Sequence, residues 1–188
     1  DNEDTFYKGK LIKTDKNEKH YIDGLKERNI LLHAGTKYHL SQWYYRNKID
    51  YLFIDEAGQL SLADLISIGH CAKNIILIGD QNQLGQPLKG THPNESGNSI
   101  LDYLLQGEEI ISDDKGIFLD KTYRLHSTIN NFISSKFYNN RLISADSTDK
   151  RLITFNPNHL IRNAGIHYIE MNHENNTQTS VEEIEKIK

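Results

Sequence analysis

Residues 49–87 read IDYLFIDEAGQLSLADLISIGHCAKNIILIGDQNQLGQP, and the fold turns on them. Residues 49–54 form a short apolar run that stops abruptly at Asp55-Glu56. A run of this length, bounded by a turn, predicts a strand buried on both faces of a parallel sheet. The pattern then repeats, with aliphatic residues 75–78 ending in Gly79-Asp80-Gln81. Between the two runs, residues 60–72 have helix length, with apolar side chains at Leu62, Leu65, Ile66 and Ile68. Strand, helix, strand in this order predicts two parallel neighbours in an α/β sheet. Open sheets of this class bind ligands at the carboxyl ends of their strands. Asp55, Glu56, Asp80 and Gln83 are all expected at that edge.

Paired carboxylates and a glutamine at one sheet edge suit nucleotide hydrolysis. Asp55 can hold Mg²⁺, directly or through water, because hard cations prefer oxygen ligands. Glu56 can orient and deprotonate an attacking water, and Gln83, one strand over, can sense a terminal phosphate. The plainer alternative is that Asp55-Glu56 only caps the next helix, where acids are favoured. For an isolated Asp-Glu pair the two readings stand level. The second strand and its GDQNQL turn tilt the balance toward chemistry.

FIDEAGQ (residues 53–59) followed by ILIGDQNQLGQP (residues 76–87) resembles motifs II and III of superfamily 1 helicases. The branch resembled contains the nonsense-mediated decay helicase and its bacterial DNA-helicase relatives. LDKTYRLHSTINNFISSKFYNNRL (residues 119–142) resembles that branch's motif IV region. Tyr123, Arg124 and His126 match its pattern, while Leu125 and Ser127 replace the usual Met and Pro. The resemblance implies a RecA-like P-loop NTPase sheet flanked by helices, together with the start of a second RecA-like domain. Residues 1–110 would belong to the first and residues 111–188 to the second. It implies ATP and Mg²⁺ as cofactors, with Asp55 as the metal ligand, Glu56, Gln83 and Arg124 as catalytic residues, and Gln59, Asp80 and Tyr123 as further nucleotide contacts. Arg124 would reach the γ-phosphate from the second domain, and Tyr123 would stack on adenine. By itself Arg124 reads more readily as half of an ion pair with a nearby acid, and the rest of the pattern turns the reading toward phosphate. Thr36, Thr91 and His92 match segments that touch the nucleic-acid strand. Thr36 reads equally as an ordinary helix cap.

The 188 residues suffice for one domain or one and a half. A formal charge of −4 argues against a free-standing basic nucleic-acid binder, although a local basic groove is compatible with it. The single cysteine, Cys71, rules out an internal disulfide and reads as a packed side chain in mid-helix. No signal peptide and no membrane-length apolar stretch is visible, so a cytoplasmic protein without a membrane partner is expected.

Elsewhere the pattern is plainer. Residues 1–28 are polar and charged, with the KTDKNEK run (residues 13–19) reading as a hairpin turn or a solvated loop, and residues 29–33 (NILLH) read as a buried strand. The aromatic stretch 42–46 (QWYYR) reads as a short helix packed on the sheet, with a base-stacking platform as the alternative. Residues 99–105 read as a helix, 106–115 as a linker, and 116–120 (GIFLD) and 166–171 (IHYIEM) as strands. Ile129, Phe132, Ile133, Phe137 and Tyr138 form a core-packing stripe at helical spacing. Ser180 with Glu183 is a capping-box signature.

No Gly-x-x-x-x-Gly-Lys-Ser/Thr loop occurs in the chain. That loop normally cradles the phosphates. The expectation is therefore a piece of an ATP-dependent helicase that moves along single-stranded nucleic acid, DNA before RNA. Its partner is the rest of the parent enzyme, with a fused nuclease domain among the options. The competing readings are a degenerate helicase-like scaffold without ATPase activity and a different P-loop motor, the latter disfavoured by Tyr123-Arg124-Leu125-His126. The 188-residue chain alone should show weak or no ATPase activity; Glu56-dependent turnover in a phosphate-release assay of that chain would refute the expectation.

Overall fold

The computed structural model describes residues 18–27, 32–85, 90, 93–108, 110–153, 164–172, 174 and 176–187. The chain divides into two compact units, Asp1–Glu108 and Glu109–Lys188. Both are mixed α/β, with parallel strands accompanied by helices, the architecture of a partial RecA-like helicase domain. Among the described residues no helix is long and apolar enough to cross a membrane.

The first unit is built on β1 (Ile49–Ile54) and β2 (Ala72–Leu77), paired in parallel with Ile49 opposite Ala72 and Ile54 opposite Leu77. Two further helices, α1 (Glu18–Lys26) and α2 (Lys37–Leu40), precede β1. The crossover between the strands is α3 (Leu62–Gly69), started by Ser61, whose hydroxyl accepts from Asp64 N at 3.1 Å. The helix stops before the predicted residue 72, at Gly69-His70. Glycine is a poor helix former, and the next carbonyl is already committed: Cys71 O accepts from Lys48 N and Ile49 N, both at 3.1 Å. Cys71 is thus fully buried in the turn rather than in mid-helix, and burial pushes its thiol pKa up, away from nucleophilic use.

β1 departs from the expected burial. Leu52 and Ile54 enter the core with Leu40, Tyr45, Ile68 and Ile100, but Tyr51 and Phe53 are 58% and 60% exposed. A continuous apolar run does not say whether a second layer covers the other face. Here that face opens into a groove. Lys37 Nζ bonds Asp64 Oδ2 at 2.7 Å, fastening α2 to α3, and this hydrogen bond is the main influence raising the Lys37 pKa.

Downstream, α4 (Ile100–Leu105) is capped by Ser99, which accepts from Leu101 N and Asp102 N. Leu60 O accepts from Ile100 N at 2.8 Å, seating α4 beside the Asp55-Glu56 turn with Ile100 buried.

The second unit holds a two-residue parallel pair, β3 (Lys121–Thr122) with β4 (Ile143–Ser144), joined by α5 (Ser127–Phe137). The strand expected at residues 116–120 is absent: those residues run without a ladder partner, and Ile117 and Leu119 are exposed. Pairing begins only where β4 passes, with Ile143 N donating to Asp120 O at 2.7 Å. The α5 stripe is also corrected. Phe132 and Phe137 are exposed, and the buried line is Asn130 and Ser134. These two bind the backbone of Leu142, Asn130 Nδ2 to its carbonyl at 2.8 Å and Ser134 Oγ to its N–H at 3.1 Å.

Residues 166–171 form no strand, whereas α6 (Val181–Ile187) is capped as expected, Ser180 Oγ accepting from Glu183 N at 3.3 Å. Helix α1 begins at the end of the 13–19 run read as a hairpin turn or loop and continues through residues given no secondary structure from the sequence. The strand expected at residues 29–33 lies partly outside the described residues, and Leu32 and His33 are not in a strand.

Two glycines hold the turns after β1 and β2 together. A Cβ on Gly58 would stand 2.5 Å from Asp80 O, and one on Gly79 would stand 2.8 Å from Ala57 N and 3.0 Å from Gly58 N. Because the obstacles are backbone atoms, the turns themselves must move. Gly79→Ala is expected to destabilise the chain by about 1–3 kcal/mol in urea unfolding, with Gly85→Ala, where the added Cβ meets open space, as the near-neutral control.

Candidate functional site

The site is assembled by two backbone bonds that carry the ladder past the strand ends. Ile78 N donates to Ile54 O at 2.8 Å, and Ala57 N donates to Ile78 O at 2.9 Å. To make the second bond the chain must reverse after Asp55, and Glu56 takes the left-handed conformation, φ 55° and ψ 41°. For a non-glycine residue this costs on the order of 1 kcal/mol, and such residues cluster where function holds them. The turn continues as a 3₁₀ helix, Ala57–Gln59, with Ala57 and Gly58 buried.

Asp55 is exposed, and its Oδ1 accepts from Glu56 N at 3.0 Å. The carboxylate of Glu56 is exposed and makes no hydrogen bond or ion pair among the described residues. The neighbouring turn is shaped by Asp80, whose Oδ1 accepts from Asn82 N at 2.9 Å and whose Oδ2 accepts from Gln83 Nε2 at 3.3 Å. Asp80 is half-buried and Gln83 exposed. Asp55, Glu56 and Gln59 line one end of the groove that runs along the open face of β1. The structure thus brings Asp55, Glu56 and Gln59 into one turn and Asp80 and Gln83 into the turn packed against it.

No group of three or more metal-ligating side chains forms among the described residues. Magnesium is commonly held by one or two carboxylates completed by phosphate oxygens and water. An exposed Asp55 at the end of a strand fits that requirement.

Thr36 is the N-cap of α2, its hydroxyl accepting from His39 N at 3.4 Å. The residue is exposed, so capping does not occupy its outer surface. Thr91 and His92 lie outside the described residues. Tyr123 and Arg124 belong to the second unit and follow β3 directly. Both are exposed, and Arg124 N donates to Thr122 Oγ1 at 3.2 Å. In the aromatic stretch Tyr45 is buried, as the packing reading requires, while Trp43 is 82% exposed.

One cluster escaped the sequence reading. Tyr45 OH hydrogen-bonds both His33 Nε2, at 3.0 Å, and His39 Nε2. The three rings pack with centroids 5.1–5.4 Å apart. His33 and His39 flank Thr36, so the cluster fixes the loop that carries it. His33, His39 and Tyr45 stand six residues apart on separate local elements, too far apart for any short-range pattern to pair them, so no sequence signal marked them.

Comparison with known proteins identifies the class. A family model described as an AAA domain matches residues 97–187. Helicase SEN1 of Saccharomyces cerevisiae is 34% identical over 104 residues, 54% of this chain and 4% of that protein. The DNA replication ATP-dependent helicase/nuclease dna2 of Schizosaccharomyces pombe is 29% identical over 112 residues, 58% of this chain and 8% of that protein. The DNA polymerase alpha-associated DNA helicase A of the same yeast is 30% identical over 110 residues, 56% of this chain and 15% of that protein. These matches support a helicase-type α/β fragment. Over the matched residues the chain is similar to superfamily 1 helicases, and it spans no more than 15% of the length of these relatives.

Burial, then the nearby His39, lowers the His33 pKa below its ordinary 6.5. The folded state therefore favours neutral His33, and the unfolded chain binds the extra proton first. The cluster's stabilisation is complete above about pH 6.5 and is lost as pH falls below it. Protection factors for amide exchange across residues 33–45 should fall between about pH 7.5 and 5.5, and His33→Phe should flatten that dependence.

Proposed function

We propose that the chain is the catalytic-edge portion of an ATP-dependent helicase, the first unit contributing part of one RecA-like domain and the second the opening of the next. The observation that carries this reading is the turn pair after β1 and β2. It presents an exposed Asp55 and a strained, uncommitted Glu56 beside the Asp80-Gln83 turn.

Asp55 would hold Mg²⁺, which when bound neutralises phosphate charge. Glu56 orients the attacking water and takes its proton on the carboxylate. Its isolation from other side chains leaves both oxygens available. Gln83, tethered through its amide nitrogen to Asp80, keeps its amide oxygen as an acceptor for a water or a donor at the terminal phosphate. Gln59 and Asp80 complete the nucleotide edge. Arg124 supplies positive charge to the transferring phosphoryl group, and Tyr123, 66% exposed, offers a face for adenine. Thr36, with Thr91 and His92, contacts the single strand. DNA is favoured because two of the relatives are named as DNA helicases. Hydrolysis moves one RecA-like domain against the other, and that motion advances the strand.

The test is calorimetry of ATP with Mg²⁺ on this chain and on the full-length protein that contains it. Binding only by the full-length protein, with Glu56→Gln binding normally but turning over at least about 10²-fold more slowly, is the expected result. Failure of both to bind would remove the catalytic reading and leave a helicase-like scaffold.

A further inference from the structure

We infer that Asp149 and Arg151 are positioning residues that hold Arg124 in its working conformation; this rests on the phosphate role of Arg124 proposed above. Segment 122–127 carries Tyr123 and Arg124 between β3 and α5 and has no ladder of its own. Its backbone groups are instead bound one by one. Arg124 N and Leu125 N donate to Thr122 Oγ1 at 3.2 and 3.4 Å. Ser144 Oγ donates to Leu125 O at 3.0 Å. Arg151 Nη1 donates to Arg124 O at 3.2 Å. Ser127 N donates to Asp149 Oδ1 at 2.9 Å, and the same oxygen lies 3.7 Å from His126 Nδ1.

Three of these partners come from β4 and the short polar stretch after it, Ser144 from the end of the strand and Asp149 and Arg151 from beyond it. That stretch is itself fixed: Ala145 N donates to Thr122 O at 2.9 Å, and the buried Thr148 hydroxyl closes the 3₁₀ turn Asp146–Lys150 onto Ala145 O at 2.7 Å. Read as sequence, SADSTDKR looks like a solvated loop. In the structure it works as a bracket, gripping the arginine turn at residue 124 and again at residue 127.

The electrostatics agree. The Ser127 backbone N–H, then its hydroxyl, hold the Asp149 carboxyl below the usual range, with His126 adding to the effect. Asp149 is therefore ionised at any working pH, and its bond to Ser127 N–H is charge-assisted. Arg151 is exposed and makes its bond with one nitrogen. Removing it frees the Arg124 carbonyl without opening the core.

A residue that acts through Arg124 has no effect when Arg124 is gone, which makes a double-mutant cycle decisive. In the full-length protein, nucleic-acid-stimulated kcat and KM for ATP are measured for Asp149→Ala, Asp149→Asn and Arg151→Ala, each with and without Arg124→Ala. Arg124→Ala should lower kcat by about 10³-fold. Asp149→Ala and Arg151→Ala should each lower it by about tenfold with KM within about twofold, the scale of a misplaced group. Asp149→Asn, which keeps an acceptor oxygen, should recover most of the loss. In the Arg124→Ala background none should cost anything further. Equal losses with and without Arg124, or full activity of Asp149→Ala and Arg151→Ala beside an inactive Arg124→Ala, would overturn the positioning role alone. An Arg124→Ala protein with normal kcat would overturn the site reading on which it rests. Should Asp149→Ala fail to fold, Arg151→Ala decides.

Discussion

Everything at the candidate site depends on a backbone contact, the close packing of the turn after β1 on the turn after β2. The parallel ladder does not end with the strands. It is extended by Ile78 N to Ile54 O and by Ala57 N to Ile78 O, so the two turns inherit the register of the sheet. That contact has no room for a side chain, which explains glycine at both 58 and 79. It also accounts for Glu56. If Ala57 N–H must reach back to Ile78 O, the residue before it has to reverse the chain, and a left-handed glutamate is the consequence. The strain is small beside the burial of Leu52, Ile54, Ala57 and Ile100, so the core can sustain it.

What the sequence disclosed followed from how local each signal was. The β1-α3-β2 unit was legible because hydrophobic runs and acidic turns agree over residues 49–81. Helices α4 and α6 were legible for the same reason, each opened by a serine whose hydroxyl does what its position suggests. Candidate residues Asp55, Glu56, Asp80 and Gln83 stand in the two turns to which pattern alone assigned them, and Gln59, implied by the resemblance, stands in the first. The grouping was thus readable, though not the left-handed backbone of Glu56.

Failures occurred where the outcome depends on a distant partner. Residues 116–120 carry a strand-like apolar run, yet a strand needs a neighbour, and β4 meets the chain only at Lys121–Thr122. Helix α5 looked like a stripe of Ile and Phe, but its inward line is Asn130 and Ser134. The neighbouring segment 141–142 comes in without secondary structure and needs its amide and carbonyl satisfied. The His33-Tyr45-His39 cluster and the Asp149-Arg151 bracket were invisible for the same reason. Each joins residues across loops with no period, and polar loop residues look alike until the backbone groups they serve are known.

The two units therefore solve one problem in different ways. Each carries a candidate site residue, Glu56 in the first unit and Arg124 in the second, just past the end of a strand, where the ladder stops and the backbone loses its partners. In the first unit the neighbouring turn supplies them, through backbone atoms and two glycines, so the geometry is set by chain closeness. In the second unit the strands are two residues long, and no adjacent turn is available to take over. Side chains of a following loop do the work instead, each satisfying one backbone group of segment 122–127. The first arrangement is sensitive to added volume and the second to lost hydrogen bonds. That contrast follows from the length of the strands, since a longer β3–β4 ladder would have satisfied Arg124 and Leu125 without help from Ser144 or Arg151.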